Sequence, residues 1–518
     1  MSNQVEPARP KAGFFGRLSS ADHVDSRAGL TRRVFAGVGW LLGQNVGMRV
    51  IVLVSQIVLA RILLPSDFAS FALAGTVTSI FEALISFGVD DVLLQRQRTM
   101  RFWTKPAFVT SLGLSIASML LVIACMPVAV HLYEAPVLYS ILPIMALGMP
   151  LSALSTVPAA ALRAALNFRF LATYTTIEFA VGQVATIALA VYGFGVFSFI
   201  LPGPILAAVR AAFFWFVARP PLGRLRVRQL RMMGKAGSAI FGSRVITAMV
   251  GQGDYFVLGL FASKPEVGAY FFAFRLAVQP VRMVAGSLTS VLLPALAKLR
   301  SEPLRQGEAA LSACRVLAFI TMPYCFMQAA VARPLFGLLF GSKWDGAIVP
   351  AEILSVGLAF DAVSWIAAAL LIAQGEFRRL FIYSCIIGPA FFLLVAVGAY
   401  FGAETAIGAS TGVAVAVSLF YVILPPCFSF AAFRRTGVSL RSIAMIYVNS
   451  TTVSTIAIGA AVALAYWIST GPIAQIAIIV TFGGGLYIVL LRFVSPWTYD
   501  YISNRLHDAI SAKKRHRA

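Results

Sequence analysis

The chain is written in long apolar runs separated by short polar breaks. Most runs are about 20 residues or longer, and none alternates with the period of two that a half-buried strand shows. Lipid cannot hydrogen-bond a peptide group, so a segment that crosses a bilayer is a helix or part of a closed barrel. Run length and the lack of alternation predict helices. Fourteen spans are expected, over residues 34–60, 67–89, 107–130, 137–160, 170–192, 196–218, 236–262, 266–297, 311–340, 347–373, 380–401, 405–432, 442–468 and 472–492. The polar, basic stretch before Val34 lacks the apolar core and small-residue cleavage site of a signal peptide, so the first run reads as a retained helix.

Composition agrees with that reading. The 518 residues are 59% hydrophobic and 12% charged, about half the charged share of a soluble domain. The expected fold class is an all-α polytopic membrane protein.

Charge then orients it. Cytoplasmic loops collect Lys and Arg, and 33 of the 42 basic residues fall in the two tails and in every second loop. The opposite loops hold only Arg61, Lys264 and Lys343. A miscounted helix would invert this alternation downstream of the error, and no inversion occurs. Both termini are therefore expected in the cytoplasm. The net charge of +22 follows from topology and from attraction of the inner loops to anionic lipid, so no nucleic-acid partner is expected.

One polar break returns. "VLARILLPSDFASFALAGTV", Val58 to Val77, has a counterpart in "VLGLFASKPEVGAYFFAFRL", Val257 to Leu276. Asp67 and Glu266 lie 199 positions apart, and that offset also superposes Phe71 on Tyr270, Ala74 on Ala273 and the "VLL" at Val92 on the "VLL" at Val291. The copies join spans 1 and 2 and spans 7 and 8, six spans apart, so both face the same side of the membrane. That pattern describes parallel repeats related by an axis along the membrane normal. In each copy a proline stops one helix and an acid near the next helix's N-terminus starts it. The implied organisation is a basic tail (1–33), an N-lobe of helices 1–6 (34–218), a basic connector (219–235), a C-lobe of helices 7–12 (236–433), helices 13–14 (434–492) and a basic C-terminal tail (493–518).

These two segments, extended to "LARILLPSDFASFALAGTVTSIFEALISFGVDDVLLQ" and "GDYFVLGLFASKPEVGAYFFAFRLAVQPVRMVAGSLTSVLLPALAKLR", resemble the polysaccharide transporters of the multidrug/oligosaccharidyl-lipid/polysaccharide exporter superfamily. Within it, the Wzx-type repeat-unit flippases are the nearest match. The resemblance covers spans 1–2 and 7–8 and the span count. It departs at Ala69, where that family usually has Gly, and in a short second-lobe connection. It implies two lobes forming a V around a central cavity, alternating access, and a bacterial inner-membrane location. The implied cargo is an undecaprenyl-diphosphate-linked oligosaccharide bound for exopolysaccharide, capsule or O-antigen. Membrane lipids, the polysaccharide polymerase and its chain-length machinery are the implied partners.

Such a cargo needs a hydrated slot with cations for its diphosphate. Arginine suits this because its planar fork pairs with phosphate oxygens and stays charged. Beyond the basic residues counted with the loops and tails, among them Arg315 and Arg492 at span ends, six lie within the membrane: Arg49, Arg210, Arg244, Arg275, Arg282 and Arg333. Facing lipid, they would together cost on the order of 15 kcal/mol, so they must face protein or water. Arg275 and Arg282 are two turns apart with Gln279 between them. Asn45, Arg49 and Gln56 share a face of span 1, and Arg244, Thr247 and Gly251 form a stripe in span 7. The cavity candidates are thus Asn45, Arg49, Arg244, Arg275, Gln279 and Arg282, with structural ion pairs, such as Asp254 with Arg275, as the competing role. Arg210 and Arg333 read as structural.

Glu82, Asp254 and Asp361 are the deep acids and the candidates for coupling to a proton or sodium gradient; Thr78, Ser79 and Ser86 flank Glu82. Membrane potential alone offers about 2.3 kcal/mol per charge per 100 mV. The five cysteines are scattered and the four histidines lie in tails or at a span's end, so no disulfide frame or metal site is expected. No phosphate-cradling Gly-Lys motif is present, no cofactor is expected, and the short outer loops leave no room for an enzyme's site. The alternatives are a flippase for lipid II or another lipid-linked glycan and a cation-coupled multidrug antiporter.

Overall fold

The computed structural model describes residues 47–48, 51–85, 93, 100–165, 168–220, 227–468, 471–496 and 500. All regular structure among them is helical. Eleven of the described helices, kinked ones counted once, are long and apolar enough to cross a membrane. The chain divides into two compact units, residues 1–62 with 77–245 and residues 63–76 with 246–518.

In chain order, the helices that build the first unit are α1 (Ile51–Ile62), the later part of α2 (Pro65–Ile85), α3 (Met100–Leu132), α4 (Leu138–Leu154), α5 (Thr156–Ala164), α6 (Phe168–Val191), α7 (Phe197–Ile200), α8 (Pro202–Ala218) and the start of α9 (Val227–Phe261). Its core gathers Trp103, Ala107, Val157, Leu162 and Phe214. The second unit holds the first turns of α2, the rest of α9, then α10 (Lys264–Ala277), α11 (Gln279–Lys298), α12 (Pro303–Leu339), α13 (Asp345–Leu358), α14 (Ala362–Gln374), α15 (Phe377–Glu404), α16 (Ala409–Phe433), α17 (Leu440–Trp467) and α18 (Pro472–Val494). Here α15 and α16 meet backbone to backbone through Gly398, Gly402 and Gly412, where an added Cβ would strike the opposite helix. Small residues at four-residue spacing let membrane helices approach in this way.

Four expected spans are not continuous. Span 137–160 breaks at Ser155, span 196–218 at Leu201, span 266–297 at Val278, and span 347–373 at a 3-10 turn over Ala359–Asp361. Proline explains the first three: Pro158, Pro202 and Pro280 lie in the first turn of the segment after each break, and each removes a donor from the helix ladder. Hydropathy cannot register such breaks, because the side chains on either side stay apolar. Three helices also begin well before their expected spans, α3 at Met100, α9 at Val227 inside the basic connector and α12 at Pro303. Hydropathy finds the part of a helix that lies in lipid, and a helix continues beyond it.

A carbonyl orphaned by proline inside a membrane needs another donor. Three of them receive a side chain from elsewhere in the same unit. Pro158 cannot reach the Leu154 carbonyl, which accepts Trp215 Nε1–H at 2.8 Å. Pro280 leaves the Leu276 carbonyl to Gln328 Nε2 at 2.8 Å, and Pro323 leaves that of Phe319 to the Tyr487 hydroxyl at 2.8 Å.

The recurring hinge has one local geometry in both copies. Asp67 is the third residue of α2, and its Oδ2 accepts the Leu64 N–H at 3.0 Å. Glu266 is the third residue of α10, and its Oε2 accepts the Ser263 N–H at 3.0 Å and the Ser263 hydroxyl at 2.8 Å, completing a capping box. Both bonds satisfy a donor that the helix start leaves without an intrahelical partner.

Candidate functional site

Among the described residues, both units carry charges on helices of spanning length.

In the second unit, α9 carries Asp254, only 2% exposed. Its Oδ2 accepts the Tyr270 hydroxyl of α10 at 3.0 Å and its Oδ1 the Tyr255 N–H at 2.9 Å. Tyr255 packs edge-on against Tyr270, Phe271 and Phe274. Arg275 is half-buried in the last turn of α10, its guanidinium 6.0 Å from the Phe271 ring centre. Arg282 is exposed in the first turn of α11. Asp361 ends the 3-10 turn before α14 and is held by the Ser364 hydroxyl at 2.6 Å and Trp365 Nε1–H at 3.0 Å.

Arginines expected in the cavity and acids expected to couple thus lie in the same unit, with each acid held by its own hydrogen bonds. The break at Val278 corrects the picture of Arg275 and Arg282 on one continuous helical face. The two sit on successive helices in different surroundings, and half-buried Gln279 begins the second. The acid Asp254 takes its hydrogen bonds from tyrosine and backbone, not from Arg275. Tyr255 and Tyr421 were not singled out in the sequence, and Tyr270 only as the counterpart of Phe71, because a lone tyrosine in an apolar run carries no pattern of its own. The one signal was Tyr255's place beside Asp254.

In the first unit Arg210 of α8 is committed to structure. Its Nη1 pairs with Glu178 of α6 at 3.1 Å, and Nε and Nη2 reach the hydroxyls of Ser155 and Ser152 at 3.3 Å each. An ion pair accommodates this arginine. The Ser55 hydroxyl donates to Gln183 Oε1 at 2.6 Å, and beside it Gln56 is 5% exposed, its Nε2 with no hydrogen-bond partner among the described residues. Glu82 is exposed on α2 while Thr78, one turn earlier, is buried. In the second unit Arg333 pairs with Glu352 at 3.6 Å, again a structural use.

Asn45, Arg49 and Ser86 lie outside the described residues. Arg244 and Thr247 fall on α9, and their side chains are outside the described part. Among the described residues no group of three or more His, Cys, Asp and Glu could hold a metal ion.

Apolar helices of spanning length with charges set among them define a multi-pass membrane protein. The family model described as "Polysaccharide biosynthesis protein" matches residues 58–350, more than half of the chain and inclusive of both hinge segments. The chain belongs to that family, in agreement with its resemblance to the Wzx-type polysaccharide transporters. It is 27% identical over 315 residues to the succinoglycan biosynthesis transport protein ExoT of Rhizobium meliloti, covering 60% of this chain and 64% of that protein. The chain therefore spans somewhat under two thirds of that relative's length. It is 21% identical over 351 residues to the lipopolysaccharide biosynthesis protein WzxC of Escherichia coli, covering 67% of this chain and 71% of the other. Among solved structures, the lipid II flippase MurJ in an inward closed conformation superposes with a TM-score of 0.70 at 14% identity, over 88% of this chain and 98% of the other. That likeness establishes a shared fold.

Proposed function

We propose that the protein is a flippase that exports undecaprenyl-diphosphate-linked oligosaccharide repeat units across the bacterial inner membrane by alternating access. The observation that carries this reading is the family match over residues 58–350. Relatives named for succinoglycan transport and lipopolysaccharide biosynthesis support it.

In this reading fourteen helices form two six-helix lobes and two additional helices, with both termini cytoplasmic. Arg275 and Arg282 hold the diphosphate, with Arg49 and Arg244 as further cations and Asn45 and Gln279 as donors to sugar. Desolvated guanidinium–phosphate pairs are bidentate and strong, while the glycan's hydroxyls need a wet path. Asp254, Asp361 and Glu82 are the proposed coupling acids. No catalytic step on the cargo is required.

The test is a conditional depletion strain whose lipid-linked oligosaccharides are extracted and whose surface polysaccharide is assayed. Accumulation of a complete diphosphate-linked repeat unit with loss of polymer and retained viability supports the reading. Lysis with accumulated lipid II assigns the cargo to peptidoglycan precursor, the reading the MurJ-like fold keeps open. Increased drug sensitivity with neither lipid changed assigns antiport.

A further inference from the structure

A groove of about 630 Å3 opens in the second unit between α12, α13, α16 and α17. Its walls include Ala330 of α12, Val356 of α13, Val415 and Val422 of α16 and Val462 of α17. Its floor is closed where α13 meets α16. A Cβ added to Gly357 would strike Ser418 there, and the Ser418 hydroxyl donates to the Ile353 carbonyl at 2.9 Å. Val415 and Leu419 also line a second groove, of about 310 Å3, that runs between α16 and α15 over Val397 and Phe401. This part of α16 is thus a ridge with an apolar groove on either side.

The depth of the first groove follows from the helices. Glu352 lies on its lining and pairs with Arg333 at 3.6 Å. Arg333 is six residues before the end of α12 and Glu352 seven after the start of α13, which puts both about 10 Å below the same end of the bundle at 1.5 Å per residue. Tyr466, next to last in α17, stands at that end, as tyrosines at a membrane interface do. Val422 lies thirteen residues into α16, so the groove extends to about 20 Å from that helix's start. It therefore runs from head-group level down through one leaflet, whose hydrocarbon is about 15 Å deep.

The ion pair at the mouth decides which lipid fits. The Arg333 side chain is 61% exposed and that of Glu352 32%, so both charges remain accessible to a further partner. Charges that face hydrocarbon are costly, and a zwitterionic head group answers both at once. Its phosphate accepts from the guanidinium while a primary ammonium donates to the carboxylate. A phosphate or diphosphate without that cation would meet Glu352 as a like charge. We infer that the groove binds a diacyl phospholipid with an ethanolamine head group, its phosphate on Arg333 and its ammonium on Glu352. One chain lies between α16 and α17 and the other in the groove beside α15. The inference rests on the two grooves and the ion pair, and not on the identity of the transported cargo.

Native mass spectrometry of the full-length protein in detergent tests this, with phosphatidylethanolamine, phosphatidylglycerol, phosphatidylcholine and undecaprenyl phosphate as probes. One saturable phosphatidylethanolamine is expected. It should bind about tenfold more tightly than phosphatidylglycerol, which lacks the ammonium, and phosphatidylcholine, whose quaternary ammonium cannot donate a hydrogen bond. Glu352→Gln is expected to erase that preference. Val462→Trp keeps the ion pair and fills the groove, and it is expected to abolish the binding event. Val448→Trp, at an exposed position toward the other end of α17, is expected to leave it unchanged. Unchanged binding in Val462→Trp, or an equal loss in Val448→Trp, overturns the groove. Equal binding of the three phospholipids, or a preference that survives Glu352→Gln, overturns the head-group assignment. Tighter binding of undecaprenyl phosphate than of phosphatidylethanolamine overturns the phospholipid as the occupant and gives the groove to a polyprenyl chain.

Discussion

Gly268 meets the carbonyl of Pro65 so closely that a Cβ added to it would overlap that oxygen. Each residue lies two positions from the acid of its own hinge, Gly268 after Glu266 and Pro65 before Asp67. Around this contact Phe68 packs edge-on to Trp344 at 5.0 Å and to Phe272 at 5.6 Å, with Trp344 fully buried. Lys343 Nζ closes the seam on the Leu63 carbonyl at 2.8 Å. The hinges are therefore more than chain reversals, because their helix starts lock together within the second unit.

Gly268→Ala is expected to force this seam apart and to cost about 1–3 kcal/mol, the range for overpacking a well-fitted contact. Gly459→Ala, in open space on α17, is the control and is expected to be neutral. Thermal unfolding of the two purified variants decides it.

Tyr487→Phe removes the donor that serves the Phe319 carbonyl across from Pro323. Side-chain hydrogen bonds within membranes average about 0.6 kcal/mol and reach about 1.7 kcal/mol. A loss toward the upper value is expected, because no ladder donor can replace the hydroxyl. The melting temperature of the variant, compared with that of Tyr466→Phe on an exposed site, measures it.

Asp254→Ala leaves the Tyr270 hydroxyl without its acceptor in a buried site, at an expected cost of about 1–3 kcal/mol. Asp254→Asn retains an acceptor and is expected to fold with near-normal stability while losing surface polysaccharide. Normal polymer in a folded Asp254→Asn strain would remove Asp254 from the coupling role.

Arg275→Gln and Arg282→Gln, separately, are expected to reduce polymer export at least about tenfold, the loss of one charge-assisted phosphate contact. Arg333→Gln, whose partner is Glu352, is expected to leave export near normal. Polymer per cell at matched membrane abundance is the measurement. Equal export in all three would detach the arginines of α10 and α11 from the cargo.

Glu178→Gln removes the partner of Arg210. Arg210 retains 29% of its side-chain exposure, so the loss is expected below the several kcal/mol of a fully buried pair, at about 1–3 kcal/mol. The double variant Glu178→Gln, Arg210→Gln is expected to recover part of it. A double-mutant cycle on thermal stability reads the coupling.

Much of the local structure was legible in the chain. Asp67 and Glu266 announced helix starts because the third residue of a helix is where an acid can reach back to an unpaired N–H. Arg210 and Arg333 were recognisable as embedded charges, but not as partners of Glu178 and Glu352, since pairing depends on which helices become neighbours. The surroundings of Asp254 were legible only as separate acids and arginines. A lone tyrosine carries no pattern of its own, and residues 254 and 270 lie on successive helices, which no periodicity joins.

By itself the sequence determined an all-helical membrane chain, the positions of its apolar segments, and the recurrence of one hinge 199 residues on. Those properties are local, set by the cost of taking unpaired peptide groups and charges into lipid. Only the tertiary structure decided where spans break and what repairs the breaks: Trp215 for Leu154, Gln328 for Leu276, Tyr487 for Phe319. It likewise decided that Gly268 sits against Pro65. A proline says that a carbonyl will be orphaned, and a glycine says that something could come close. Which partner arrives is a property of packing, because it depends on helices distant in sequence becoming neighbours at the same depth.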